Sequence, residues 1–204
     1  MKRNWALAAA LLVAVFTAVG CAHMGGGDWV ALVDGEKGLD NFNRVGDANW
    51  RAEQGAIVAD KGKGGHLVTK KSYKDFVIVA EFYAETDTNS GIFLRISDPN
   101  KPGANNAYEV NIWDIRPDPK YGTGGIVDYA SVPVPLKNKA GGKWNTYEIY
   151  ANGPQVIVKL NGEVTASMQD RKYASGPFSL QYGGGVKGAP GGPIKWRKVM
   201  VKEL

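Results

Sequence analysis

The chain reads as an all-β protein, a sandwich or jelly roll of antiparallel strands. Short runs rich in β-branched and aromatic residues alternate with clusters of Gly, Pro, Asn and Asp, which is the punctuation of strands and turns. Asn152-Gly153 and Asn161-Gly162 fall between such runs and read as hairpin turns, because Asn and Gly tolerate positive φ. No segment carries the apolar periodicity of an amphipathic helix of several turns. Many short strands in a chain of 204 residues imply two packed sheets around one core.

Residues 1–20 read as a targeting segment. Lys2 and Arg3 precede an apolar stretch from Trp5 to Val19, which has the size of a signal core and is short for a membrane span. Ala18-Val19-Gly20-Cys21 resembles a bacterial lipoprotein cleavage box, with Ala18 where Leu is usual. Cys21 is then the lipidation point. It is the single cysteine, so no internal disulfide is possible. An ordinary cleaved signal with an incidental cysteine is the alternative. Ala22 after the cysteine favours a cell-envelope location, anchored in the outer membrane and facing the periplasm. Residues 21–27 form a Gly-rich tether, and residues 28–204 form one domain with a core large enough to need no disulfides.

Within that domain the candidate strands are Trp29–Val33, Trp50–Glu53, Ala56–Ala59, His66–Thr69, Phe76–Tyr83, Ile92–Ile96, Tyr108–Trp113, Thr146–Ala151, Gln155–Leu160, Glu163–Ser167, Phe178–Tyr182 and Lys195–Lys202. Lys2 and Arg3 leave with the signal, so the net charge of +5 says little about partners. Lys61, Lys63, Lys70, Lys71 and Lys74 read as a solvated rim rather than a nucleic-acid patch. No nucleic-acid partner is expected, and the domain is expected to be a monomer.

Two strands carry the chemistry. Side chains alternate faces along a strand. Ser90, Ile92, Leu94 and Ile96 therefore share one face, with Phe93 and Arg95 on the other. Tyr108, Val110 and Ile112 share one face, opposite Glu109, Asn111 and Trp113. If the strands are neighbours, rings, a cation and a carboxylate form one patch suited to sugars. Glu109 is the leading candidate, since a carboxylate in mid-strand needs solvent or a partner. A Glu109–Arg95 ion pair on a solvated face is the alternative. Arg95 offers a planar fork for hydroxyls, carboxylates or an oxyanion. Asp114 falls on the opposite parity and could equally be a turn residue. Phe93, Trp113 and Tyr182 could stack on sugar rings or simply pack. Gln181 lies on the face opposite Leu180 and Tyr182, and His66 reads as a strand-edge residue.

The run Trp144-Asn145-Thr146-Tyr147-Glu148-Ile149-Tyr150, closing at Asn161-Gly162, looks like the hairpin of laminin-G and concanavalin-A-like sandwiches. Trp29, Leu32, Asp34-Gly35, Trp50-Arg51, Asn89 to Arg95, Tyr108 to Asp114, Thr123-Gly124-Gly125, Leu180-Gln181 and the final Glu203-Leu204 complete an ordered set. Together they resemble the 3-keto-disaccharide hydrolase domain family, a concanavalin-A-like jelly roll. The resemblance implies cleavage of glycosides whose sugar is a ketone at carbon 3. It places Glu109 in the family's Tyr-Glu-Val-Gln strand motif, with Asn111 where Gln is usual. It also puts Gly183 where the family commonly has His.

A 3-keto sugar has an acidified C2 hydrogen and a leaving group β to the carbonyl. One base and one enolate-stabilising group suffice for elimination followed by hydration. Glu109 is expected as base or acid/base, Arg95 with Asn111 or Gln181 as oxyanion and hydroxyl contacts, and Phe93, Trp113 and Asp114 as further substrate contacts. No cofactor is expected; divalent metal dependence is left open, since neither zinc spacing nor a regular calcium loop is present. The Gly-rich stretch from Gly183 to Gly192 is not a phosphate loop and reads as a border of the cleft. A carbohydrate-binding module without catalysis is the rival reading.

Overall fold

The computed structural model describes residues 28–186 and 189–204. Thirteen strands, numbered in chain order, form two antiparallel sheets among the described residues. The larger sheet runs β11 (Glu163–Gln169), β10 (Gln155–Leu160), β9 (Lys143–Asn152), β6 (Phe76–Ala84), β13 (Ile194–Glu203), β4 (Ala56–Ala59), β3 (Arg51–Glu53), with β1 (Val30–Asp34) also paired to β13. The smaller sheet runs β2 (Phe42–Gly46), β5 (Gly64–Thr69), β12 (Ser179–Gly183), β7 (Asn89–Leu94), β8 (Tyr108–Ile112). The chain crosses between sheets repeatedly, so strands distant in sequence become neighbours, as in a jelly roll.

The core lies between the sheets and follows the period-2 pattern. In β6, Phe76, Ile78, Ala80, Phe82 and Ala84 are buried while the residues between them are half-buried. From the smaller sheet, Leu67, Leu180, Tyr182, Ile92, Tyr108, Val110 and Ile112 face this core. β13 serves both ends of its sheet by means of a register shift between Trp196 and Lys198. Its first half pairs β4 and its second half pairs β1.

The expected strands are present with shifted ends, and one further strand is β2. Phe42-Asn43-Arg44-Val45-Gly46 pairs only β5, at the sheet edge. An edge strand with one neighbour tolerates Asn and Arg, so it lacks the apolar alternation that marks the others. His66 is not at an edge: β5 lies between β2 and β12. β7 ends at Leu94 rather than Ile96, and Arg95 takes φ +52°. Cys21, the signal segment and the tether fall outside the described residues.

The face of the smaller sheet that points away from the core positions the site. It carries a second apolar cluster of Val68, Phe93, Ile96 and Ala107, with Val45 packed against it. The free edge of β8 is covered by the segment after Gly124. Gly124 N–H donates to Asn111 O, Asn111 N–H to Gly125 O, and Val127 N–H to Glu109 O, each at 3.0 Å.

Candidate active site

Strand register assembles the outer face in two rows. In one, Val68, Ser179, Phe93 and Glu109 stand side by side; in the next, His66, Gln181, Gly91 and Asn111 do. Gly91 is the floor. A Cβ there would meet Val110 O at 2.8 Å, so the close approach of β8 is what requires glycine, and the Glu109 Cγ at 3.6 Å from that point lies over it. Glu109 and Asn111 form one wall, and His66 and Gln181 the other. A cleft of about 350 Å³ opens beside the second wall, bordered by His66, Gln181, Asn89, Lys63, Lys101 and Pro102. The loop bearing Lys101 and Pro102 is tied at its base, where Ser97 N–H donates to Asn106 O at 2.9 Å.

Glu109 is 7% exposed, and no described residue hydrogen-bonds its carboxyl. Burial pushes it up to about 7; the Arg116 charge opposes this and Asp128 adds to it. The carboxyl is therefore poised to exchange a proton near neutral pH. Arg116 lies with its guanidinium 5.9 Å from the centre of the Trp113 ring. Replacing Arg116 with Gln is expected to move Glu109 further up. The alkaline-going limb of kcat/KM would shift to higher pH, and a pH–rate profile checks the direction.

The amides are only half used. Asn111 Nδ2 donates to Tyr121 O at 2.7 Å, but its Oδ1 is buried without a protein partner. Gln181 Oε1, Trp113 Nε1 and Arg116 Nε are in the same state. Elsewhere among the described residues this holds only for the ring nitrogens of Trp50 and Trp196. Buried polar groups are nearly always paired. Four such groups on or beside the sheet face that bears Glu109 are unspent hydrogen-bonding capacity.

The structure thus brings Glu109, Asn111, Phe93 and Gln181 to one face, with Trp113 reaching it through Arg116. It does not bring Arg95 there. The positive φ at Arg95 breaks the alternation and turns the side chain away from Glu109. Its guanidinium donates to Lys74 O at 2.9 Å, Gly153 O at 2.7 Å, Tyr173 O at 3.3 Å and Asp75 Oδ1 at 3.3 Å. Every arm is occupied, so Arg95 is a structural clamp rather than an oxyanion contact. Asp114 is also committed. Its carboxyl accepts the Thr123 hydroxyl at 2.6 Å and the N–H groups of Ala140 and Gly141 at 3.0 and 2.9 Å. It fixes loops and is not a substrate contact.

Two residues of the face were not foreseen. Arg116 supplies the cation that Arg95 does not; a loop arginine four residues past the end of β8 gives no pattern that marks it. His66 stands across the face from Asn111, one row from Glu109, with Nδ1 3.0 Å from Ser179 Oγ and its ring 4.9 Å edge-on from Phe93. Burial pushes it down to about 4. Its place on the Gln181 row was the available signal, hidden because strand order is not written in sequence. Gly183 lies in the next row, between Gly64 and Asn89. A Cβ there would come within 2.7 Å of Asn89 Nδ2, which donates to Gly184 O at 2.6 Å. Asn89 therefore fills the space beside Gly183. Among the described residues, no three His, Cys, Asp or Glu side chains form a group that could hold a metal ion.

Comparison with known proteins follows this geometry. Two solved structures of candidate glycosyl hydrolases from Parabacteroides distasonis are similar. One superposes with a TM-score of 0.69 at 23% identity, covering 87% of this chain and 100% of that one. The other does so with 0.70 at 19%, covering 86% and 94%. The carbohydrate-binding module CBM66 from Bacillus subtilis superposes with 0.53 at 11%, covering 86% and 95%. At these identities the likeness is one of fold. No curated protein matches the chain. The family model of the 3-keto-alpha-glucoside-1,2-lyase-like domain matches residues 28–202, and with nearly all of the described chain inside that match, this protein belongs to that family.

Proposed function

We propose that this protein cleaves glycosides whose sugar is oxidised to a ketone at carbon 3. The observation that carries the proposal is Glu109, buried, unbonded and pushed up to about 7, on one sheet face with Asn111 and Gln181, whose side-chain oxygens have no protein partner. The family description, a 1,2-lyase acting on 3-keto-glucosides, fits a site with one such carboxyl. Ordinary glycoside hydrolysis needs two carboxyl groups across the bond; among the described residues Glu109 is the buried carboxyl of this face, and Asp128, which acts on it, is exposed.

The ionised Glu109 takes the proton from C2. The C–H electron pair becomes the C2=C3 bond of an enolate, and the ketone oxygen takes the negative charge. The enolate reforms the ketone, its electrons move into C1=C2, and the C1–O bond breaks. The leaving alcohol takes the proton held by Glu109. Water then adds to the enone, oxygen at C1 and hydrogen at C2. The net change is hydrolysis, with no oxidant or reductant consumed. Phe93 backs the pocket, and Asn111 and Gln181 orient hydroxyls.

We place this activity at the cell envelope, with the monomeric domain tethered through lipid on Cys21. The support is the sequence of the cleavage box. Cys21→Ser is expected to release the domain from the membrane fraction.

A binding module is the second reading, favoured by the CBM66 likeness in fold. Incubating purified protein with a native disaccharide and its 3-keto form, with and without chelator, separates the two. Release of the aglycone from the keto form alone is expected. Binding of both with release from neither would establish the module instead.

A further inference from the structure

We propose that His66 is the electrophile of this site, a neutral imidazole whose Nε2–H donates to the C3 oxygen as negative charge develops there. The inference rests on the reading of Glu109 as base and names the group that completes it. His66 and Glu109 lie three strands apart and in neighbouring rows, two residues apart along the strand, about 16 Å between backbones. Both lean inward. The imidazole reaches the Phe93 ring on β7, and the Glu109 stem lies over Gly91 on the same strand. A sugar ring seated over β7 would present C2 to Glu109 and the C3 oxygen to His66.

The tautomer follows from burial. Ser179 is fully buried, and the imidazole is the partner its hydroxyl has among the described residues. If Nδ1 carried the proton, the Ser179 O–H would be a buried donor with no acceptor, which is costly. The hydroxyl therefore donates to Nδ1, and the ring proton sits on Nε2. His66 borders the cleft with Gln181, and with Nδ1 engaged by Ser179 the Nε2 is the ring nitrogen left to meet a ligand. The charged side chains lining the same cleft are Lys63 and Lys101, and no Asp or Glu lines it. Nothing there favours an imidazolium, and burial holds the ring neutral throughout the range where Glu109 titrates. His66 keeps its proton through the step. It supplies a fixed dipole aimed at the oxygen where charge appears, the arrangement that contributes most to such reactions. An alcohol at C3 forms no enolate, so the same contact selects the ketone.

The test pairs two variants with one measurement on the unaltered protein. His66→Phe keeps the ring volume and removes the donor; on a 3-keto-glucoside its kcat should fall about 100-fold with KM within about threefold. His66→Gln restores an N–H donor and should recover about tenfold of that loss. In both, the pH limb near 7 should stay, since it belongs to Glu109. Turnover of His66→Phe within about threefold of the unaltered protein, or loss of that limb, would overturn the proposal. The chain has two histidines, so ¹⁵N-imidazole spectra of the unaltered protein are simple. They should show His66 neutral and protonated on Nε2 from pH 5 to 9; an Nδ1–H tautomer would overturn it even if the variants fail to fold. Glu109→Gln, run in parallel, separates the levels. Turnover retained there sinks the underlying reading, whereas turnover lost there but kept in His66→Phe sinks only this inference.

Discussion

Glu109→Gln is expected to abolish turnover of a 3-keto-glucoside and, at pH 8, to stabilise the protein. Both effects come from one desolvated carboxyl. Gln has the shape of the protonated acid but cannot accept a proton, so kcat should fall by about 1000-fold or more if Glu109 is the base. The stability effect has the opposite sign. A carboxyl raised from its usual 4.5 to about 7 binds protons more tightly in the folded than in the unfolded chain. Its favourable contribution is full below about 4.5 and is lost as pH rises through about 7. Above that, the folded state carries a buried charge at a cost of about 3 kcal/mol. The variant removes this cost. Its midpoint in urea should match the unaltered protein at pH 4.5 and exceed it at pH 8. His66 acts oppositely, because a ring held down at about 4 costs stability as pH falls below 6.5. Together the two groups place the stability maximum of this site in mildly acidic solution.

Arg95→Met is expected to do the reverse, weakening the fold with little effect on chemistry. Arg95 is 1% exposed and donates to three backbone carbonyls and to Asp75. Its guanidinium ties the segment at Lys74 to the turn at Gly153 and to Tyr173, between β11 and β12. Removing it leaves buried acceptors unpaired and Asp75 without its cation. Losses of about 3–5 kcal/mol are usual for breaking such a buried group, a large share of the roughly 5–15 kcal/mol that holds a domain together. Urea unfolding should show a lower midpoint at an unchanged slope. Per folded molecule at low temperature, turnover should stay within a few-fold. A stable Arg95→Met protein with turnover down 100-fold would return Arg95 to the site.

Alternation along a strand is a property of sequence, and it placed Glu109, Asn111 and Phe93 together before any pairing was known. It failed where the backbone left the strand. Arg95 obeys the pattern in sequence but takes positive φ, which nothing in an arginine announces. Asp114 lies past the end of β8, where parity no longer applies and loop N–H groups claim the carboxyl. His66 illustrates the other limit. Its place across the face from Asn111, one row from Glu109, depends on β5, β12, β7 and β8 being neighbours in that order, and long crossovers set that order. β2 escaped notice because an edge strand needs only one good face. The core strands were legible because one buried face demands an unbroken alternation, as in β6.

The reaction run in deuterium oxide tests the central claim, proton removal from C2 by Glu109, most directly. Elimination and rehydration must place one solvent hydrogen on C2 of the released sugar. The account predicts deuterium at that carbon in early product, beyond the exchange of free product in buffer, and none formed by Glu109→Gln. Product released with its original C2 hydrogen would mean direct displacement at C1 and would contradict the account.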